Sequence, residues 1–168
     1  MTSEPEATKQ MVIMVELVRE SLKIHGGSHE DDPDYHFTLA YTASFDPGEM
    51  ADTFTEFSRL CEEDGGLTLT DDHLSPLNPT GGPTFVPNNV TGRRPDNRPG
   101  HQGMTLLDRT IPIVLPREVA DTEGGVHDAG HEEIYGEIWL RSSGNLGSTS
   151  PDGSDSGLGR TNVGDFDP

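Results

Sequence analysis

The sequence predicts an α+β fold: a small β-rich core with one or two helices, a long Pro/Gly-rich loop and a flexible C-terminal tail. Three observations predict it. Tyr35, Phe37, Leu39, Tyr41, Ala43 and Phe45 alternate with His36, Thr38, Ala40, Thr42 and Ser44, the period of a half-buried strand. Asp46-Pro47-Gly48-Glu49 then carries a helix-start signature, and Met50, Phe54, Phe57 and Cys61 follow at helical spacing. From residue 142 onward the chain is Gly, Ser, Asp and Asn without apolar periodicity.

The elements follow in chain order. Residues 1–7 are a polar arm. From Thr8, a candidate N-cap, to Ile24 two patterns compete. Met11, Ile13, Val15 and Leu17 alternate like a strand, whereas Glu16, Arg19, Glu20 and Lys23 make a polar stripe at i, i+3, i+4 and i+7. Gly26 stands where a helix C-cap would, and helix is the favoured reading. After the strand over 35–45, Asp46 caps, Pro47 occupies the first helical position, and Glu49 can bond back to the Asp46 amide. The predicted helix ends at Gly65-Gly66, and residues 67–70 read as a further strand.

Residues 74–104 hold Pro76, Pro79, Pro83, Pro87, Pro95 and Pro99 among Gly, Asn and Arg. Loops of that length are generally functional or disordered. Strand character returns over 104–115, with Pro112 marking an edge or a break, and a last strand covers 134–140. The expected organisation is therefore an arm at 1–7, one domain over 8–141 with its loop at 74–104, and an acidic tail over 142–168. The lone Cys61 excludes an internal disulfide and is expected to be a buried packing residue.

Charge bounds the function classes. Thirty Asp and Glu stand against eleven Lys and Arg, a formal net of −19 over 168 residues. Such a surface repels itself in dilute buffer but is screened in molar salt, where the Debye length is ~3 Å. The composition reads as halophilic. It disfavours nucleic acid as a partner, because phosphate contacts need a basic surface. No apolar run is long enough to span a bilayer, and the acidic start shows no signal peptide, so the expected location is the cytoplasm or a virion.

Three groups carry candidate chemistry. His127, Asp128 and His131 have the H-x-x-x-H spacing that puts two imidazoles on one helix face, with an acid beside them. Gly124-Gly125 and Gly130 argue against a helix there, and two histidines in a hydrated loop is the competing reading. His25, His29 and His36 bracket Glu30, Asp31, Asp32 and Asp34, an oxygen-rich loop suited to loosely held monovalent cations, or to a divalent metal. Arg93, Arg94 and Arg98 form the one basic island, either for docking on a partner's acidic surface or for pairing with nearby carboxylates. Asn89-Val90-Thr91 matches a glycosylation acceptor but is expected to be chance without a signal peptide.

No cofactor is predicted. The leading expectation is a non-enzymatic structural or assembly protein of a halophilic organism or its virus, meeting protein partners or copies of itself. Two alternatives remain: a metal-dependent hydrolase using His127 and His131, and an acidic regulatory binder of a basic partner.

Overall fold

The computed structural model describes residues 15–25, 34–62, 83–116, 132–142, 156, 159–161 and 164–166. Those residues form two antiparallel sheets and two short 3-10 turns, in place of the expected α+β arrangement. The strands are β1 (Glu16–His25), β2 (Asp34–Phe45), β3 (Phe54–Glu62), β4 (Thr84–Phe85), β5 (Arg94–Pro95), β6 (Thr105–Pro116), β7 (Glu132–Ser142), β8 (Gly159–Arg160) and β9 (Gly164–Phe166). The first sheet has the order β1-β2-β6-β5; the second runs β4-β3-β7-β8, with β9 also pairing β7.

Strand β2 is the centre of the first sheet, and its alternation is realised in full. Tyr35, Phe37, Leu39, Tyr41, Ala43 and Phe45 are all at most 2% exposed and face the second sheet. Leu107, Ile111 and Leu115 of β6 stand opposite Ala43, Leu39 and Tyr35 and share that inner face. Phe54, Leu60, Ile134, Ile138 and Leu140 meet them from β3 and β7. The sheets thus pack face to face, burying an apolar layer worth about 25 cal/mol for each Å² removed from water.

Both helices expected from sequence are strands. The first, expected from Thr8 to Ile24, is β1 in its described part, paired with β2 from Glu16↔Ser44 to His25↔His36, while residues 8–14 lie outside the described residues. Its register shifts between Leu17 and Arg19, so Glu16 and Arg19 lie opposite Ser44 and Thr42 on one face. One extra residue therefore turned an alternating strand into an apparent helical stripe. The second helix is limited to a single 3-10 turn, Pro47–Glu49. Its capping box forms as read, with the Asp46 side chain accepting from Gly48 and Glu49 bonding back to the Asp46 amide at 3.0 Å. Glu49 also accepts from the Val15 amide at 3.1 Å, so the turn ties down the start of β1 instead of launching a helix.

The chain then extends as β3, which is buried on both faces. Phe54 and Leu60 point to the first sheet, while Phe57 and Cys61 join Trp139 on the opposite, also buried, face. A strand with two apolar faces loses its period-2 signature, and residues at i, i+3 and i+7 then imitate a helix. Cys61 is buried, as expected, but on a strand. Within the segment read as a tail, β8 and β9 pair with β7, the Thr161 N–H donates to the Gly136 carbonyl, and the Gly136 N–H donates to Thr161 Oγ1, both at 2.8 Å. No described helix is long and apolar enough to cross a membrane. The strand expected over 67–70 lies outside the described residues.

Candidate functional site

The arginine island sits where β5 pairs with the start of β6, beside the start of β1. Strand β5 pairs Arg94 with Leu106 and Pro95 with Thr105, and the Asp96 N–H donates to the Met104 carbonyl at 2.9 Å. The loop between them closes in two turns, His101 N–H to Arg98 O and Met104 N–H to His101 O, both at 3.1 Å. Gly100 and Gly103 occupy φ of +82° and +84° there, a region open to glycine without strain.

That loop wraps a buried carboxylate. Asp96 is 4% exposed and accepts from Ser44 Oγ at 2.7 Å, from the Arg98 N–H at 3.1 Å, and from Arg98 Nη2 at 2.7 Å. The other side of the Arg98 guanidinium holds Glu16, with Nη1 to Oε1 at 3.1 Å and Nη2 to Oε2 at 3.3 Å. His101 Nε2 lies 3.0 Å from Glu16 Oε2, and its Nδ1 lies 3.1 Å from the Pro99 carbonyl. The Arg98 hydrogen bonds hold the Asp96 carboxyl well below the usual carboxylate range, and they lower Glu16 against a smaller opposing effect of burial.

The neighbouring arginines are equally engaged. Arg94 forms a two-point pair with Asp108, with Nη2 to Oδ1 at 2.9 Å, and Thr42 Oγ1 donates to the same carboxylate at 2.6 Å. Both contacts lower the Asp108 pKa, that of Arg94 first. Arg93 donates to the backbone carbonyls of Asn88 and Val90, the latter at 2.8 Å. Of the two sequence readings for this island, pairing with nearby carboxylates is the arrangement present for Arg94 and Arg98. The alternative reading, docking on a partner's acidic surface, would have to use guanidinium groups that already have carboxylate partners.

A second polar group lies inside the sandwich. Tyr41 and Arg109 are cross-strand partners, and both bond Glu56 of the second sheet: Tyr41 Oη at 2.5 Å, Arg109 Nε at 2.7 Å and Arg109 Nη2 at 2.9 Å. Arg109 also lies over the Phe85 ring at 4.4 Å. Burial, then the Glu56 charge, raises the Tyr41 hydroxyl well above its ordinary value. Sequence reasoning passed over this cluster, yet a signal was present. Arg109 shares the odd-numbered stripe of Leu107, Ile111, Ile113 and Leu115, where a charge demands a buried partner.

The far face of the second sheet interleaves cations with aromatics. Phe57 and Trp139 stack at 5.3 Å, Arg141 lies 4.9 Å from the Phe57 ring, Arg59 lies 5.4 Å from Trp139, and Arg160 lies 3.7 Å from Tyr135. Arg59 pairs with Glu137. Burial pushes the Cys61 thiol up to about 12, the reverse of an activated nucleophile.

His127, Asp128 and His131 lie outside the described residues, as do His29 and Glu30, Asp31 and Asp32 of the acidic loop. Among the described residues no three His, Cys, Asp or Glu side chains converge as a metal site.

These features define an antiparallel β-sandwich with internal ion-pair networks. No protein-family model matches the chain, and no curated protein matches it. Several solved structures overlay weakly, among them the following two. One is the structural-genomics target SoR45, at 13% identity and TM-score 0.32, covering 90% of this chain and 83% of that one. The other is a Bordetella pertussis protein given the name ApaA, at 14% identity and TM-score 0.28, covering 93% of this chain and 94% of that one. Overlays this loose carry no argument about fold or function.

Proposed function

We propose that this chain is a non-enzymatic structural or assembly subunit of a halophilic organism or one of its viruses, acting through protein partners or copies of itself. The observation that carries the reading is the disposition of charge. Against a net of −19, Arg59, Arg94, Arg98 and Arg109 are all paired with carboxylates of the same chain. Cationic charge is thereby consumed in holding strands and loops together, which leaves the acidic surplus of the sequence without compensating cations. Concentrated salt screens that surplus, whereas the largely buried Glu56 pair keeps its strength there. The engaged carboxylates are held in the charged form by arginine, and the buried thiol is held protonated, which suits framework chemistry better than proton transfer.

The test is a thermal melt by circular dichroism over a salt series, with the mass measured by light scattering. Between molar salt and ~0.1 M the screening length grows from ~3 to ~10 Å. The melting temperature is expected to fall steadily over that range. Either an unchanged melt or a monomer at every concentration in molar salt would refute the proposal.

A further inference from the structure

The outer face of the first sheet differs from the rest of the chain in charge. Side chains at alternate positions of β2 and β6 point away from the second sheet. In cross-strand register they are Ala40↔Thr110, Thr38↔Pro112 and His36↔Val114. His36, Thr110, Pro112 and Val114 are exposed, and Thr38 and Ala40 are half-buried. Val114, at 51%, is the one large hydrophobic side chain exposed among the described residues. On β1 the half-buried Ser21 continues the row from Ala40. Lys23 and His25 hold the register positions opposite Thr38 and His36.

These three rows contain no carboxylate, in a chain where Asp and Glu number thirty. Acidic groups on this face return at its ends, and there they are largely neutralised. Asp108 is bound by Arg94, Glu16 is bound by Arg98, and Asp34 stands at the far end opposite Pro116. The layout is a centre of Ala, Thr, Pro and Val free of carboxylates, with Lys23 and His25 at its β1 margin and a rim carrying both signs, the anatomy of a protein–protein contact.

We infer that this face is the contact between two copies of the chain, packed sheet against sheet about a two-fold axis. The inference rests on the assembly reading above and names its surface. Charge selects the occupant. A basic partner would be drawn to the carboxylates that this face lacks, and a polyanion would find too little cationic charge to neutralise its phosphates. A second −19 copy is repelled at most approaches, but here it meets a surface that buries Val114, Pro112 and the Thr methyls without stripping water from an unpaired carboxylate. Two-fold pairing of one patch with itself also sets the mixed-sign rims against each other.

The experiment is sedimentation equilibrium of the full chain in molar salt, for wild type, Val114→Glu and Thr110→Glu. Both positions are exposed, so each substitution leaves the core intact, and circular dichroism melts verify this. The wild type is expected to dimerise with concentration. Each variant places two like charges in the contact of a dimer and is expected to weaken it about tenfold or more. A wild type that dimerises while both variants dimerise equally well overturns this face and leaves the assembly reading standing. A wild type that stays monomeric throughout overturns both.

Discussion

Replacing Arg109 by Met should destabilise the sandwich through the carboxylate it leaves behind. Glu56 is 2% exposed, and its two oxygens receive Arg109 Nε at 2.7 Å, Arg109 Nη2 at 2.9 Å and the Tyr41 hydroxyl. In Arg109→Met only Tyr41 remains to face that charge. Removing one member of a buried pair costs about 3–5 kcal/mol, because the survivor is neither solvated nor compensated. The Arg109 side chain keeps 23% exposure, so water can reach the site and the low end, about 3 kcal/mol, is appropriate. For a chain of this length each kcal/mol moves the melting point by about 2–4 °C, giving a fall of ~6–12 °C. In the double variant Glu56→Leu/Arg109→Met no charge is left buried, and most of the loss should be recovered. Denaturant titrations of wild type, both single variants and the double variant, in the same molar salt, measure the coupling directly. Additive losses, with the double variant worse than either single, would refute the reasoning.

Three other outcomes follow from the same structure. The Asp96 carboxyl titrates lower in the folded chain than in the unfolded one, so its stabilisation is complete above the unfolded carboxylate range. It is lost as the pH falls through the folded value. Asp96→Asn should therefore lower the melting point at neutral pH and flatten its decline below about pH 4, whereas parallel pH curves would contradict this. A Cβ at Gly136 would overlap Leu39 Cδ1, a fully buried neighbour, so Gly136→Ala is expected to cost about 1–3 kcal/mol in a denaturant titration. Cys61, buried and with its thiol pushed up to about 12, should resist alkylation at pH ~8 until denaturant is added; fast labelling of the native chain would count against it.

Legibility in the sequence followed the number of buried faces. Strand β2 buries one apolar face, its other face being mostly polar even where Thr42 and Ser44 are covered, and shows it as clean alternation; β6 does the same, with Pro112 on the margin that β5 leaves unpaired among the described residues. Strand β3 buries two, so Phe54, Phe57 and Cys61 presented a spacing that suited a helix equally well. In β1 a single bulge near Val18 moved the polar residues out of phase. The capping box at Asp46 and Glu49 was read correctly, but a cap reports only how a turn begins, and tertiary pairing of β3 with β7 decided what came next. Of the candidate site, Arg93, Arg94 and Arg98 were legible as a basic island. Asp96, two residues from Arg98, was within reach of that reading, but Glu16 and Asp108 were not, because strand pairing brings them to the arginines.

The row of backbone groups along the outer margin of β6 has a consequence for how copies can join. The Asp96 N–H bonds the Met104 carbonyl, which places the amide positions of even-numbered β6 residues on the side away from β2. Pro112 and Pro116 fall in that series, so the margin lacks donors where a visiting strand would need them. Recruitment of another chain by ladder extension, the step that leads to fibres, is interrupted there. On the assembly reading proposed above, copies of the chain would associate through side chains and separate again on dilution.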